Sequence, residues 1–464
     1  MATHNISLLV DNQPGVLAQL SELFGRQGHN IEKIKAEYQK NRKLTKINIS
    51  ATIKEEQFEA LLLELKALAH VQYVDASMHR RVSFWLIAFC LFITLLGTNL
   101  PAPLYTLYRQ EWNLSSAQIT FVYALYALIV IPTIVLVNPL SERYGIKKVL
   151  ILGVSFSILG SLGFALSQGV WGLIGSRIFQ GLSVGMLNGL AVVAMTRFHE
   201  KHDKIKSAFI GAISGTLGNA LAPLVSGIAG VLSSHPLQFP YMVHVSLAIL
   251  GLIGLILVLE NRTLAKSSLH FQIPEVPRAQ WKSFKLSSST SFLSWGVMSL
   301  MLSILPTYLH LFIGQSSLIT SGIMVALVLG LSTINQILLK RQPIKRLIVL
   351  GYILLILGLS GIVLTLITHS ILLLVFSVVL IGLGNGPSYA GSLAYLNQVS
   401  MDESRPQVIS CFFVITYLGI SLPILTLGLI GQWVDLTITI QCFAFIMIIM
   451  MMISMYDWLK TKES

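Results

Sequence analysis

The chain has 464 residues, 54% of them hydrophobic, a mean hydropathy of +0.73 and a formal net charge of +12. Apolar stretches of about 20 residues recur from Phe84 to Trp458 and need a bilayer as their solvent, which excludes a water-soluble enzyme for most of the chain. The basic residues sit in short loops between those stretches, so the charge is not a nucleic-acid-binding patch. Cys90, Cys411 and Cys442 lie inside apolar runs, an odd and scattered set that makes neither a disulfide framework nor a zinc site.

Residues 1–78 read differently from the rest. They hold nine Lys/Arg and nine Asp/Glu, roughly a quarter of the segment, so the whole net charge belongs to residues 79–464. In chain order, residues 6–10 are strand-like. Gly15 to Arg26 has helical spacing through Val16, Leu17, Leu20, Leu23 and Phe24. Residues 30–38 and 44–53 read as strands, 55–69 as an amphipathic helix through Phe58, Leu61, Leu62, Leu65 and Leu68, and 71–74 as a last strand. This βαββαβ order is ferredoxin-like. The run LLVDNQPGVL from Leu8 to Leu17, followed by GHNIE from Gly28 to Glu32, resembles the ACT domain of the acetolactate synthase small (regulatory) subunit. The resemblance implies that a branched-chain amino acid binds between two paired ACT domains at Asn12, Gly15, Val16 and Asn30, and it implies an ACT-mediated homodimer or contact with an acetolactate synthase large subunit. A glycine opening a helix suits that role, because the helix N-terminus offers amide donors to a carboxylate. The residues by themselves also fit a plain turn and helix start. No apolar leader or cleavage site precedes the module, so it is expected in the cytosol.

Twelve spans come next, at about 84–107, 117–137, 147–168, 170–196, 207–231, 238–259, 289–314, 318–339, 346–367, 370–398, 407–431 and 434–457. Lys147, Lys148, Arg197, Lys206, Lys282, Lys285, Lys345, Arg346 and their neighbours occupy one set of connections, whereas the other set offers essentially Arg109. The positive-inside rule then puts both termini in the cytoplasm of a multi-pass inner (plasma) membrane protein. The halves repeat. GLSVG at Gly181 to Gly185 and GLGNG at Gly382 to Gly386, Pro223 and Pro423, and Leu100-Pro101 and Leu305-Pro306 are each offset by about 200 residues. The expected domains are 1–78, a six-helix half at 79–259, a linker at 260–288 and a second six-helix half at 289–460.

Over about 380 residues the chain resembles the major facilitator superfamily. NPLSERYGIKK, from Asn138 to Lys148, is similar to that superfamily's loop signature, with Glu142, Arg143, Gly145 and Lys147 on the pattern and Asn138 and Ile146 off it. The resemblance implies a conformational latch there. RIFQGLSVG, from Arg177 to Gly185, is similar to the fourth-span motif. The fifth-span residues Gly211, Gly215, Gly218, Pro223 and Gly227 look like the glycine-proline motif of exporting members, and small residues four apart equally serve close helix packing. The implied fold is an α-helical membrane protein of 12 transmembrane helices in two six-helix repeats, behind a small α+β ACT domain.

The spans hold no interior Asp or Glu, the residues that usually load and release protons in coupled carriers. Arg177 is a cation within a span, which is costly unless it faces a wet cavity or a polar partner or sits near the interface in a structural role, and His310, His244, Glu111 and Asp435 are the titratable candidates. Asn99, Tyr105, Arg177, Asn188, His310, Asn385 and Tyr389 are the expected cavity-facing polar residues. Few of them carry charge, which points to a small amphipathic or zwitterionic substrate. No phosphate-binding glycine loop, catalytic constellation, metal site or cofactor motif is present, which excludes an ATP pump and leaves no basis for an enzyme. Two functions compete. One is a secondary transporter, an exporter of amphipathic compounds, amino acids or drugs, whose ACT domain senses an amino acid. The other is a membrane-tethered regulatory subunit of acetolactate synthase.

Overall fold

The computed structural model describes every residue except 1, 39–42, 54, 200–203, 259–274, 307–308, 310–316, 340–341, 402–403 and 462–464. The described residues form two compact units, 1–87 with 194–207, and 88–193 with 208–464.

In the first unit, β1 (Ala2–Asp11), α1 (Val16–Arg26), β2 (Asn30–Tyr38), β3 (Leu44–Ile53), α2 (Glu55–Ala67) and β4 (Val71–Ala76) succeed one another. The sheet order is β2-β3-β1-β4, antiparallel throughout. One face is apolar because β3 alternates strictly. Ile47, Ile49, Ala51 and Ile53 point inward, as the two-residue period of a strand requires. Against that face α1 lays Val16, Leu20 and Phe24, and α2 lays Phe58, Leu61 and Leu65, all buried. Burial of this order stabilises by about 1.5–3 kcal/mol per large side chain.

The remaining helices are α3 (Ser77–Asn99), α4 (Tyr105–Trp112), α5 (Ser116–Tyr144), α6 (Ile146–Leu166), α7 (Val170–Phe198), α8 (Lys204–Leu232), α9 (Phe239–Val258), α10 (Trp281–Ser303), α11 (Leu318–Leu338), α12 (Ile344–Thr368), α13 (Ile371–Val399), α14 (Arg405–Ile430) and α15 (Leu436–Lys460). Eleven described helices are long and apolar enough to cross a membrane. The twelfth span is α10, which is less apolar because eight serines and Thr290 lie along it. Most of those hydroxyls are buried against other helices instead of facing lipid. Ser291 and Thr416 share a 2.6 Å hydrogen bond, and Thr290 accepts from Tyr352 Oη at 3.0 Å and Trp458 Nε1 at 2.8 Å.

Two expected spans change shape. The first is not one helix to 107, because α3 stops at Asn99 and the chain turns through 100–104 before α4. Pro101 and Pro103 lack the amide hydrogens a helix needs there, and each ring clashes with the turn before it. The seventh opens at Trp281 rather than 289. Lys282 and Lys285 lie in its first turns with exposed side chains, long enough to carry their charge away from the apolar layer.

The repeat seen in sequence is also a repeat in packing. A methyl on Gly181 of α7 would sit 2.7 Å from Tyr126 O of α5, and one on Gly382 of α13 2.8 Å from Val328 O of α11. Only glycine allows such approach, which is how helices in lipid gain contact without a hydrophobic driving force between them. Likewise Lys147 Nζ donates to Ile256 O at the end of α9 at 2.8 Å, and Lys345 Nζ to Leu459 O and Thr461 O at the end of α15, both at 2.9 Å. Each ammonium meets the negative end of a helix dipole.

Candidate functional site

Arg177 is the centre of the first polar cluster. The guanidinium is 1% exposed, and among the described residues no Asp or Glu is buried with it. Neutral oxygens take the place of a counterion. Nη1 donates to Thr98 O at 2.9 Å and Gln180 Oε1 at 2.7 Å, and Nη2 donates to Tyr105 Oη. Gln180 Nε2 in turn donates to Gly97 O at 2.9 Å. Rings surround the cation, with Cζ 5.2 Å from the Tyr126 centroid, 5.4 Å from Phe164 and 5.8 Å from Tyr105. Such contacts contribute about 0.5–2 kcal/mol each when desolvated. Gly97 and Thr98 expose carbonyls because α3 ends one residue later, so the proline break is what gives Arg177 its acceptors.

Beside this lies Asn99, whose Nδ2 donates to Asn219 Oδ1 of α8 at 2.8 Å, with Thr98 Oγ1 donating to the same oxygen at 3.1 Å. The structure therefore brings Asn99, Tyr105 and Arg177 together. Asn385 belongs to a second group on α13, accepting from Ser332 Oγ at 2.8 Å and donating to Ser294 O at 3.1 Å. Tyr389 stacks on Phe412 and meets Trp295 edge-on, with centroids 6.1 and 5.6 Å apart. Asn188 is exposed, and its Nδ2 donates to Tyr417 Oη at 3.0 Å, a link from α7 to α14. His310 lies outside the described residues.

The titratable candidates separate by geometry. His244 is buried, with Nε2 donating to Ile93 O at 2.9 Å and Nδ1 accepting from Ser161 Oγ at 2.8 Å, so the neutral ring is fully used as a pin between α3, α6 and α9. Asp435 caps α15. Its hydrogen bonds with Thr437, side chain first and then backbone, hold the carboxyl below its ordinary value, so it stays ionised near neutral pH. Glu111 is exposed at the end of α4.

In the loop signature, Gly145 has φ +85°, which L side chains rarely adopt, so the turn between α5 and α6 needs glycine. Glu142 and Arg143 are exposed, and Arg143 lies 5.3 Å from the Tyr144 ring centroid. Along α8, methyls on Gly215 and Gly218 would meet Leu95 Cδ1 at 2.7 Å and Phe92 O at 2.3 Å. A methyl on Gly227 would meet Leu318 O at 2.7 Å, and Pro223 O lies 2.4 Å from where Gly322 would carry one. Gly211 is buried on the same helix. This geometry is the close packing that small residues permit.

In the first unit, Gly15 opens α1 at φ +91° and makes no side-chain cap hydrogen bond. Asn12 Oδ1 accepts from Thr45 Oγ1 at 3.1 Å. The side chain of Val16 is buried in the sheet-helix core, so only its backbone faces outward. Asn30 pairs with Thr52, whereas Asp11, beside Asn12, pairs with Leu44. Eight residues of β3 separate those rungs, about 26 Å at ~3.3 Å per residue. One copy of the module thus keeps Asn12 and Asn30 apart.

Sequence reasoning missed Asn219, Tyr126, Phe164, Trp295, Ser332 and Tyr417. Asn219 had a signal, as the one amide in a helix whose residues after Lys206 are otherwise small or apolar.

A family model described as Major Facilitator Superfamily matches residues 87–423, and one described as an AHAS small subunit-like ACT domain matches residues 6–72. An uncharacterized MFS-type transporter of Mycobacterium tuberculosis is 25% identical over 37% of this chain and 29% of its own length. The riboflavin transporter RibZ of Clostridioides difficile is 28% identical over 35% and 36%. The acetolactate synthase small subunit of Mycolicibacterium smegmatis is 32% identical over 18% and 51%. The chain thus spans 29–51% of the length of these three relatives. The nucleoside transporter NupG shares the fold at TM-score 0.67 and 13% identity, over 81% of this chain and 99% of its own. The E. coli xylose transporter XylE does so at 0.64 and 11%, over 83% and 99%.

Proposed function

We propose that this chain, which belongs to the Major Facilitator Superfamily and carries an AHAS small subunit-like ACT domain, is a secondary active transporter exporting small amphipathic compounds, with the ACT domain as its amino-acid sensor. The observation that carries the transport reading is an asymmetry along the helical unit. At one end α8 touches α11 through Gly227 and Gly322, and α14 touches α5 through Gly428, where a methyl would lie 1.8 Å from Thr120 Oγ1. Toward the other end α8 and α11 part around a cavity. A carrier closed on one side and open on the other, built from two repeats around polar clusters, has the form that alternating access requires. Arg177 and Tyr105 beside the α3 break, and Asn385 and Tyr389 on α13, are the polar groups that a substrate would meet as the halves rock.

Sidedness is set by the charges. A reporter fused after Ser464 is expected in the cytoplasm, and cysteine at Ser234 is expected to react with an impermeant reagent from outside. A C-terminal reporter on the far side of the membrane rules out this topology.

The sensor reading rests on the separation of Asn12 from Asn30. A pocket using both needs two copies, each giving one residue. Residues 1–78 made alone are expected to dimerise and bind valine, leucine or isoleucine by isothermal titration calorimetry, with Asn30→Ala weakening binding about tenfold, the factor that 1.4 kcal/mol gives. A monomeric module, or binding untouched by Asn30→Ala, removes the paired site. The effector regulates flux only if it binds one carrier conformation better than the other. Flux by a chain lacking residues 1–78 tests the sensor, because sensitivity to amino acid that survives the truncation reduces the module to a passenger or to a partner of the biosynthetic enzyme.

A further inference from the structure

The cavity between α8 and α11 has a chemistry of its own. Their far ends are in backbone contact at Gly227–Leu318 and Pro223–Gly322. At ~1.5 Å rise per residue, α8 runs about 10 Å from Pro223 to Thr216 and α11 about 16 Å from Gly322 to Thr333. There the helices diverge and leave a volume of about 220 Å³. That is space for roughly seven waters at ~30 Å³ each. Pro387, Ala390 and Ala394 of α13 form its floor, small enough to keep it open, and Ile344 and Leu347 of α12 close one flank.

Its wall decides what fits. Among the described residues no charged or imidazole side chain lines it, and its polar groups are Thr216, Thr333, Gln336 and Gln342. Thr216 Oγ1 donates to Ala212 O at 2.8 Å and Thr333 Oγ1 to Leu329 O at 2.9 Å, so each hydroxyl offers only its lone pairs inward. The two glutamine amides add donors and acceptors. An uncharged molecule with an apolar body and a few hydrogen-bonding atoms satisfies such a wall. A zwitterion would bring two charges into it without a partner for either, which burial penalises heavily. The two helices that flank it also carry exposed apolar side chains. Phe209 is 41% exposed, Ile334 52% and Leu338 72%, on helices that cross the bilayer. On helices of that length and apolarity, side chains so exposed suit a lipid environment.

We propose that this cleft is a lateral site that takes an uncharged amphipathic molecule from the bilayer. Its role as the cargo's port of entry rests on the transporter reading, whereas binding itself does not. On this assignment the amino acid sensed by the N-terminal module and the cargo are different molecules.

Photolabelling of the full chain in phosphatidylcholine nanodiscs with 4-hydroxybenzophenone, mapped by peptide mass spectrometry, tests it. Adducts are expected on 209–216 and 333–347. Ala390→Trp, which fills the floor, is expected to cut them roughly tenfold, the factor given by a loss of 1.4 kcal/mol. Excess leucine is expected to leave them unchanged. Ala394→Phe serves as a second filling variant, and monodispersity on gel filtration shows that each has folded. Labelling spread evenly over lipid-facing helices, labelling insensitive to both filled variants, or protection by leucine overturns the assignment. Flux that persists when labelling fails leaves the transporter reading standing, and labelling without flux does the reverse.

Discussion

Arg177→Ala is expected to abolish flux while leaving expression and membrane insertion intact. The reason is the number of elements that one side chain joins. Three hydrogen bonds run from its guanidinium to Thr98 O, Gln180 Oε1 and Tyr105 Oη, and three rings lie within 5.2–5.8 Å of it. Each bond to a charged group is worth ~1.5–3 kcal/mol. Together they hold the α3 break, and with it the start of α4, against α7. Alanine leaves Thr98 O without its donor and the break without its anchor. Lysine is expected to restore only part of the flux, because a point charge reaches one acceptor at a time where the planar fork reaches several. Wild-type flux in Arg177→Ala, measured at matched expression, would make the residue peripheral to transport.

The second large effect is expected at Gly428. A methyl there would sit 1.8 Å from Thr120 Oγ1 and 2.7 Å from Thr120 Cβ, so the seam between α14 and α5 closes only with glycine. Gly428→Leu forces the two helices apart at the end that carries Ser116 and Ile430. The carrier is then held open on that side, and flux falls by at least about tenfold, since a few kcal/mol of bias is enough to depopulate the other state. Ser303 lines a small cavity beside Thr120 and Leu427 and is 2% exposed. In a background without the three native cysteines, Ser303→Cys is expected to resist an impermeant thiol reagent in the parent and to react in Gly428→Leu. No gain in reactivity, with flux unchanged, would show that the seam yields in some other way.

The sequence made the sandwich legible because β3 alternates without exception and both helices carry one apolar stripe. It made the helical repeat legible because glycines and prolines recur at one offset, and glycine is the only residue that permits the Gly181–Tyr126 and Gly382–Val328 approaches. Arg177 stood out as a charge where charge is costly. Its partners did not. Two of the acceptors around it are the carbonyls of Gly97 and Thr98, freed by the break after Asn99, and a backbone acceptor has no letter in a sequence. Asn188 and Tyr417 are 229 positions apart, and nothing local in either helix announces the other. The first turns of α10 were hidden for the opposite reason, since Lys282 and Lys285 read as linker charge until a helix was seen to carry them.

The serines of α10 bear on how the protein is made. A segment so rich in hydroxyls partitions weakly into lipid by itself, since each Ser or Thr brings a polar group that the acyl layer cannot satisfy. Its partners are Thr416 on α14, Tyr352 on α12, and Trp458 on α15, all synthesised later. At the translocon, α10 is therefore expected to linger in a wet or interfacial place until about fifty further residues, as far as Tyr352, have emerged. The second half of the chain then assembles around it as a group. Truncations ending before Arg405 should leave this segment accessible to aqueous reagents that the finished protein excludes.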